Sequence, residues 1–295
     1  MGWHFTEDPE VFRRAAHAWL SAEPARNTTL LGMLDADGLR GWWDGPGGGG
    51  FLSTPAGVLL LGTMPDAASR ALGAAVLPYE GEVTAARGES GTVEAYARAT
   101  GRPWRTTRRL RLFRLAELTP PRPAPPGAPR VAGPADVPLA AAWMREFARD
   151  VGEDADADYT ANVEARVAEG RLHLWETDGE SVAMASVSRP VAGQARVSPV
   201  YTPPAHRARG YGGAVTVAAT RAARSAGADQ VLLFTDAANP TSNALYQRLG
   251  YRPIGDHSAV DLELELELEV DCSWSSASAR PADEGRTGPG SRLGG

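Results

Sequence analysis

The chain has 295 residues, of which 43% are apolar and 22% charged, with a formal net charge of -6. It is long enough for two ordinary domains with real cores, and its negative balance argues against nucleic acid as the main partner, because phosphate binding needs clustered cations. Cys272 is the only cysteine and the five histidines (4, 17, 173, 206 and 257) lack HExxH spacing, which excludes an intrachain disulfide and leaves no metal-ligand motif.

The sequence contains no Lys, and its heavy Ala and Gly use suggests a GC-rich bacterial genome, so single Arg residues carry little functional weight. Residues 1–10 lack the cationic and apolar regions of a signal peptide. Met1-Gly2 with Thr6 fits the short N-myristoylation pattern, which the bacterial composition sets aside. The apolar run 57–62 is too short to span a membrane. The expected setting is the cytoplasm, with no membrane partner and no readable oligomeric state.

The first segment, 1–118, opens with a helix carrying Phe12, Ala15, Ala16, Trp19 and Leu20 at helical spacing after a polar start. A second helix is expected over 27–34, and the glycines at 47–50 read as a flexible connection. Phe51 to Ser53 and Val58 to Thr63 read as a hairpin, followed by a helix at 92–99 and a strand at 108–115. The segment is α/β with no motif tied to chemistry. Prolines at 120, 121, 123, 125, 126 and 129 then make 119–129 a semi-rigid spacer through which neither helix nor sheet can run.

The second segment, 130–264, starts with a short strand at 130–132 and Asp136 at a helix N-cap position. Val163 and Val167 mark a further helix closed by Gly170. Strands at 172–177 and 181–188 flank Asp178-Gly179, the dipeptide that suits a type I′ hairpin turn. A strand at 197–202, a helix at 213–226, a doubly buried strand at 231–234, a helix at 243–249 and a final alternating strand at 260–264 follow. Beyond 265 the chain is rich in Ser, Gly, Arg and Pro and reads as a disordered tail.

The chemistry is carried by the stretch from Val200, Tyr201 and Thr202 to Arg207, Ala208, Arg209, Gly210, Tyr211, Gly212 and Gly213: a strand, an R-x-x-G-x-G loop and a helix. The first N–H groups of a helix lack intrahelical partners and sit at the positive end of its dipole. Glycines let such a backbone approach an anion closely. The expected ligand is a pyrophosphate. A dinucleotide fingerprint fails at its third position, Val215, and a P-loop has no Lys.

Within the next forty residues comes Asn239-Pro240-Thr241-Ser242-Asn243-Ala244-Leu245-Tyr246-Gln247-Arg248-Leu249-Gly250-Tyr251. Together the two stretches resemble the GCN5-related N-acetyltransferases over about 130–264: the loop pattern Q/R-x-x-G-x-G/A falls on Arg207 to Gly212, and N-x-x-[AS]-x-x-x-Y-x-x-x-G-[FY] on Asn239, Ser242, Tyr246, Gly250 and Tyr251. The resemblance implies a mixed, strongly twisted sheet with helices on both faces. It further implies acetyl-CoA as co-substrate, its pyrophosphate on the loop from Arg207 to Gly213. Val200 to Thr202 would pair with the pantetheine arm and point an N–H at the thioester carbonyl; Asn239 and Ser242 would lie along that arm, and Tyr246 would protonate the leaving thiolate. The acceptor would be an amine on a small molecule or peptide. Glu153, Asp154, Asp156 and Asp158 lie where the family's acceptor site is bordered, and read otherwise as a solvated charged run. The competing expectation is a catalytically silent acyl-CoA-binding regulatory module, and the first segment is open to reading as a degenerate copy of the same fold without a CoA loop.

Overall fold

The computed structural model describes residues 1–75 and 83–263; the expected tail, with Cys272, lies outside them, as does Leu264. The elements form two consecutive series. The first is β1 (Trp3–Thr6), α1 (Pro9–Ala22), α2 (Thr28–Leu31), β2 (Arg40–Trp43), β3 (Gly50–Ser53), β4 (Val58–Leu61), α3 (Asp66–Ala74), β5 (Ala85–Glu89), α4 (Ser90–Ala99) and β6 (Trp104–Leu115). The second is β7 (Ala128–Val131), α5 (Val137–Val151), α6 (Thr160–Ala168), β8 (Leu172–Thr177), β9 (Glu180–Val187), β10 (Gln194–Tyr201), α7 (Tyr211–Ser225), β11 (Gln230–Asp236), α8 (Pro240–Arg248) and β12 (Tyr251–Leu262). The order of helices and strands is the same in both.

All these strands join one sheet in the order β1-β2-β3-β4-β5-β12-β6-β11-β10-β9-β8-β7. Each series gives its last strand to the other: β12 pairs antiparallel with β5, and β6 pairs antiparallel with β11. At the centre β6 and β12 pair with each other, from Tyr251 with Leu115 to Leu262 with Trp104. The Pro-rich spacer therefore separates the two series along the chain, while the hydrogen-bonded sheet runs on without a break.

Local sequence accounts for most elements. Asp8 caps α1 by accepting from the N–H groups of Glu10 and Val11, Pro9 takes the first turn, and Phe12, Ala16 and Leu20 form its buried stripe. Gly152, in the left-handed region, ends α5. Asp178 and Gly179 both have positive φ, as the tight β8–β9 turn requires. Several details differ from the sequence reading. β7 begins inside the spacer expected to admit no sheet, with Ala128 and Pro129 paired to Glu176 and Trp175 on the edge of the sheet. The final strand expected at 260–264 runs from Tyr251 to Leu262. The helix expected over 27–34 is the single turn Thr28–Leu31. The glycines at 47–49 form a β2–β3 turn packed against Trp19, Pro65 and Met64, not a loose connection. Asp136 holds the N-cap position of α5, but its carboxylate turns back to the Gly133 N–H and to Arg130, so it gives the helix no side-chain cap.

Helices cover both faces of the sheet. In the second series α5 and α6 pack on one face, through Trp143, Met144, Val163 and Val167 against Leu172, Leu174, Met184 and Tyr201. The opposite face carries α7 and α8 against Ala195, Val197, Val231, Leu233 and Tyr251.

Candidate functional site

Strands β10 and β11 run parallel but pair only from Gln194 with Gln230 to Arg196 with Leu232. Beyond that point β10 carries a bulge against β9, between Val197 and Val200. A bulge adds a residue, bends the strand and increases its twist. The carboxyl ends of β10 and β11 therefore part, as the sequence reading required, and the loop after Tyr201 stands at the mouth of the gap.

That loop is built to leave donors free. After Tyr201 and Thr202, a short 3-10 turn covers Pro204–His206. Ala208 and Gly210 take positive φ, of 61° and 85°, and Gly210 stands at the N-cap of α7. The first backbone bond of the helix runs from the Ala214 N–H to the Gly210 carbonyl. The N–H groups of Ala208, Arg209, Gly210, Tyr211, Gly212 and Gly213 donate to no backbone carbonyl outside the helix ladder. They converge on a helix N-terminus, an arrangement that attracts anions. A side chain at Gly212 would meet only the Thr202 hydroxyl, at 3.2 Å, and one at Gly210 would meet only Pro125 of the spacer, at 3.6 Å.

Arg207 is turned away from these donors. Its guanidinium donates to the Thr202 carbonyl at 3.0 Å and to Asp150 at 2.6 Å, and lies over the Tyr201 ring at 5.9 Å. Tyr201 is buried against Trp143, and its hydroxyl donates to Glu146 at 2.7 Å. Burial first, and then the bonded carboxylate, push the Tyr201 phenol up to about 12. Glu146 and Asp150, one turn apart on α5, were not singled out from sequence; a pair of acids on an amphipathic helix has no signal of its own until β10 lies beside it.

On the other side of the gap, Asn239 caps α8 by accepting from the Ser242 N–H at 3.0 Å. Buried Asn243, also missed, ties the β11–α8 turn together. Its amide donates to the carbonyls of Asp236 and Asn239, and its oxygen accepts from Thr235 at 2.7 Å. Tyr246, one helical turn further, is buried edge-on against Tyr251, and its hydroxyl has no hydrogen-bond partner among the described residues. Burial, with Tyr251 second, pushes its phenol well above the usual range. The fold thus brings both sequence stretches to one opening.

Three of the four acids of the acidic run are taken up by neighbouring groups. Glu153 pairs with Arg108 at 2.8 Å, Asp154 accepts from the Asp156 N–H, and Asp158 accepts from the Thr160 N–H at the start of α6. Among the described residues no cluster of His, Cys, Asp and Glu could hold a metal ion, and no helix is long and apolar enough to cross a membrane.

Residues 138–251 match the model of the acetyltransferase (GNAT) family. No curated protein matches the chain. Among solved structures the chain is similar to a GCN5-related N-acetyltransferase from Sphaerobacter thermophilus, with a TM-score of 0.62 and 15% identity over 88% of this chain and 95% of that one. A GCN5-related N-acetyltransferase from Kribbella flavida gives 0.57 and 20% identity, covering 82% and 95%. A tandem GNAT protein from the clavulanic acid biosynthesis pathway gives 0.54 and 12% identity, covering 88% and 98%. At such identities the likeness is one of fold.

Proposed function

Residues 138–251 carry a GNAT acetyltransferase domain, and from that premise we propose that the chain is an N-acetyltransferase that moves the acetyl group of acetyl-CoA onto an amine by direct attack. The observation that carries this reading is the set of free N–H groups from Ala208 to Gly213 at the mouth of the β10–β11 gap. They suit the CoA pyrophosphate, and the unpaired edge of β10 beyond Arg196 suits the amide-bearing pantetheine arm. Asn239 and Ser242 flank that arm from the start of α8.

The chemistry follows from this placement. A backbone N–H of the Val200–Thr202 segment meets the thioester carbonyl and stabilises the oxyanion that develops on it. The amine attacks as the free base. As its nitrogen bonds to the carbonyl carbon, the carbon–sulfur bond breaks and the thiolate takes the Tyr246 proton, while the proton shed by the nitrogen passes to water and restores the phenol. The Tyr246 hydroxyl, with no hydrogen-bond partner among the described residues, is free to take that role, although burial raises its pKa and makes it a weaker acid than a free phenol. The charge of Arg207 is shared with Asp150, so cofactor affinity rests on the backbone more than on that side chain.

The first series reads as a degenerate copy of the same unit that binds no cofactor. Its β4–α3 loop is occupied from within: the Thr63 N–H and hydroxyl both donate to Asn27, and a side chain at Gly62 would collide with Trp19 at 2.5 Å. The composition suits a bacterial protein, and a cytoplasmic setting is proposed with it.

The test is calorimetric binding of acetyl-CoA, followed by thiol release across amines, amino acids, peptides and aminoglycosides. Binding with thiol release supports the transferase. Tight binding with no release from any acceptor supports the silent module instead, and no binding at all rejects both.

A further inference from the structure

Two half-buried arginines, Arg196 on β10 and Arg166 on α6, are without an anionic partner among the described residues. Arg196 is the last β10 residue paired with β11, so its side chain stands where the strands begin to part. Its guanidinium carbon lies 5.8 Å from the centre of the Phe234 ring on β11, and among the described residues it makes no ion pair and no side-chain hydrogen bond. Arg166, on α6, reaches only the Met144 sulfur, at 4.0 Å. Beyond burial, the Arg166 charge is opposed first by Arg171 and then by Arg196.

Several other recessed arginines of this chain are matched with oxygen. Arg40 donates to the carbonyls of Glu7, Leu34, Ala36 and Gly38. Arg130 is held by Asp136 and Glu176, Arg26 by Glu89 and Glu23, and Arg171 by Glu169. An unpaired guanidinium that is partly withdrawn from water is costly, and two side by side more so. Burial lowers the pKa of both, and that of Arg166 falls to about 10. A bound anion removes this penalty, and a guanidinium whose face rests on an aromatic ring keeps its N–H edge free for a bidentate carboxylate.

We propose that Arg196 and Arg166 bind a carboxylate on the acceptor, so that the acceptor is a carboxylate-bearing amine of the amino-acid class. The inference rests on the acetyltransferase reading for the word acceptor, but the anion site itself can be tested without turnover. Arg196, at the last pair before β10 and β11 part, would set the carboxylate at the closed end of the gap and leave the amine toward the β10 bulge, where the thioester carbonyl would lie.

The test uses the full chain and free L-amino acids, each beside its α-amide, with acetyl-CoA and thiol release. The acids should be acetylated, with the amides showing a KM about tenfold higher or more. R196M and R166M should each raise KM for the acid by about 10- to 100-fold, as loss of a hydrogen bond to a charged group implies. They should change kcat little and leave KM for the amide unmoved, while R196K should be intermediate. Equal use of acids and amides by the wild type, or an unchanged preference in R196M, would overturn the inference and leave the acetyltransferase reading intact. So would turnover of phosphoethanolamine in place of every amino acid.

If no acceptor releases thiol, the melting temperature decides. The amino acids should stabilise the wild type and neither methionine variant. Absence of that stabilisation, or methionine variants that melt lower on their own yet bind the acids as before, would show that the arginines serve the fold and not a ligand.

Discussion

Tyr246 and Tyr251 meet edge-on with their ring centres 6.2 Å apart, yet their hydroxyls have opposite fates. That of Tyr251 is bonded to Thr220 at 2.6 Å in the core, while that of Tyr246 has no partner among the described residues. The pair separates a structural phenol from one available for chemistry. Tyr246→Phe should lower kcat by about 10²–10⁴-fold, with acetyl-CoA affinity and melting temperature unchanged, the pattern of an interaction made in the transition state. Tyr251→Phe should leave kcat near wild type and cost about 1 kcal/mol of stability. Full turnover in Tyr246→Phe would remove it as the acid.

The glycines of the loop make different predictions. Gly210 has a positive φ, so Gly210→Val strains the N-cap of α7 and should lower both stability and acetyl-CoA binding. At Gly212 a methyl group meets only the Thr202 hydroxyl. Gly212→Ala should therefore fold as the wild type does while weakening acetyl-CoA, because the methyl sits where the ligand must approach. Calorimetry and melting curves on the same samples check both; unaltered affinity in Gly212→Ala would count against the loop as the pyrophosphate site.

The two series should differ in ligand number. With Asn27, Thr63 and Trp19 filling the first-series loop, titration should give one acetyl-CoA per chain; two would show that the first series binds as well. Asn27→Ala leaves the buried Thr63 N–H and hydroxyl without their acceptor. It should cost about 1–3 kcal/mol, read from denaturant unfolding, without creating a second site.

His257 gives a pH prediction. It is buried against Phe234, its Nε2 has no partner, and burial pushes its pKa down to about 4. The unfolded chain takes up this proton near pH 6.5, before the folded one does. The contribution is therefore fully present above that pH and is lost as pH falls toward 4, with a slope approaching about 1.4 kcal/mol per pH unit. His257→Phe should flatten the fall in stability between pH 6.5 and 4, measured by urea midpoints. An identical slope in the variant would mean that His257 is not the group responsible.

What the sequence determined by itself was local. Arg207 to Gly213, the Asp178-Gly179 turn, the capped end of α1 and the Asn239 to Tyr251 stretch are legible because turn chemistry, capping and helical spacing act over a few residues. Strands β1, β2 and β5 and helix α3 escaped. Trp3–Thr6, Arg40–Trp43 and Ala85–Glu89 are short, and two of them carry arginine or glycine inside the strand, so alternation gives no signal. The exchange of β6 and β12 escaped as well, since nothing in Trp104–Leu115 records that its neighbours are β11 and β12. The pairing of Arg207 with Asp150, and the lack of an anionic partner for Arg196 and Arg166 among the described residues, were likewise decided only in three dimensions. A side chain's charge is written in the sequence, but whether that charge is neutralised depends on which distant segments the sheet brings within a few ångströms of it.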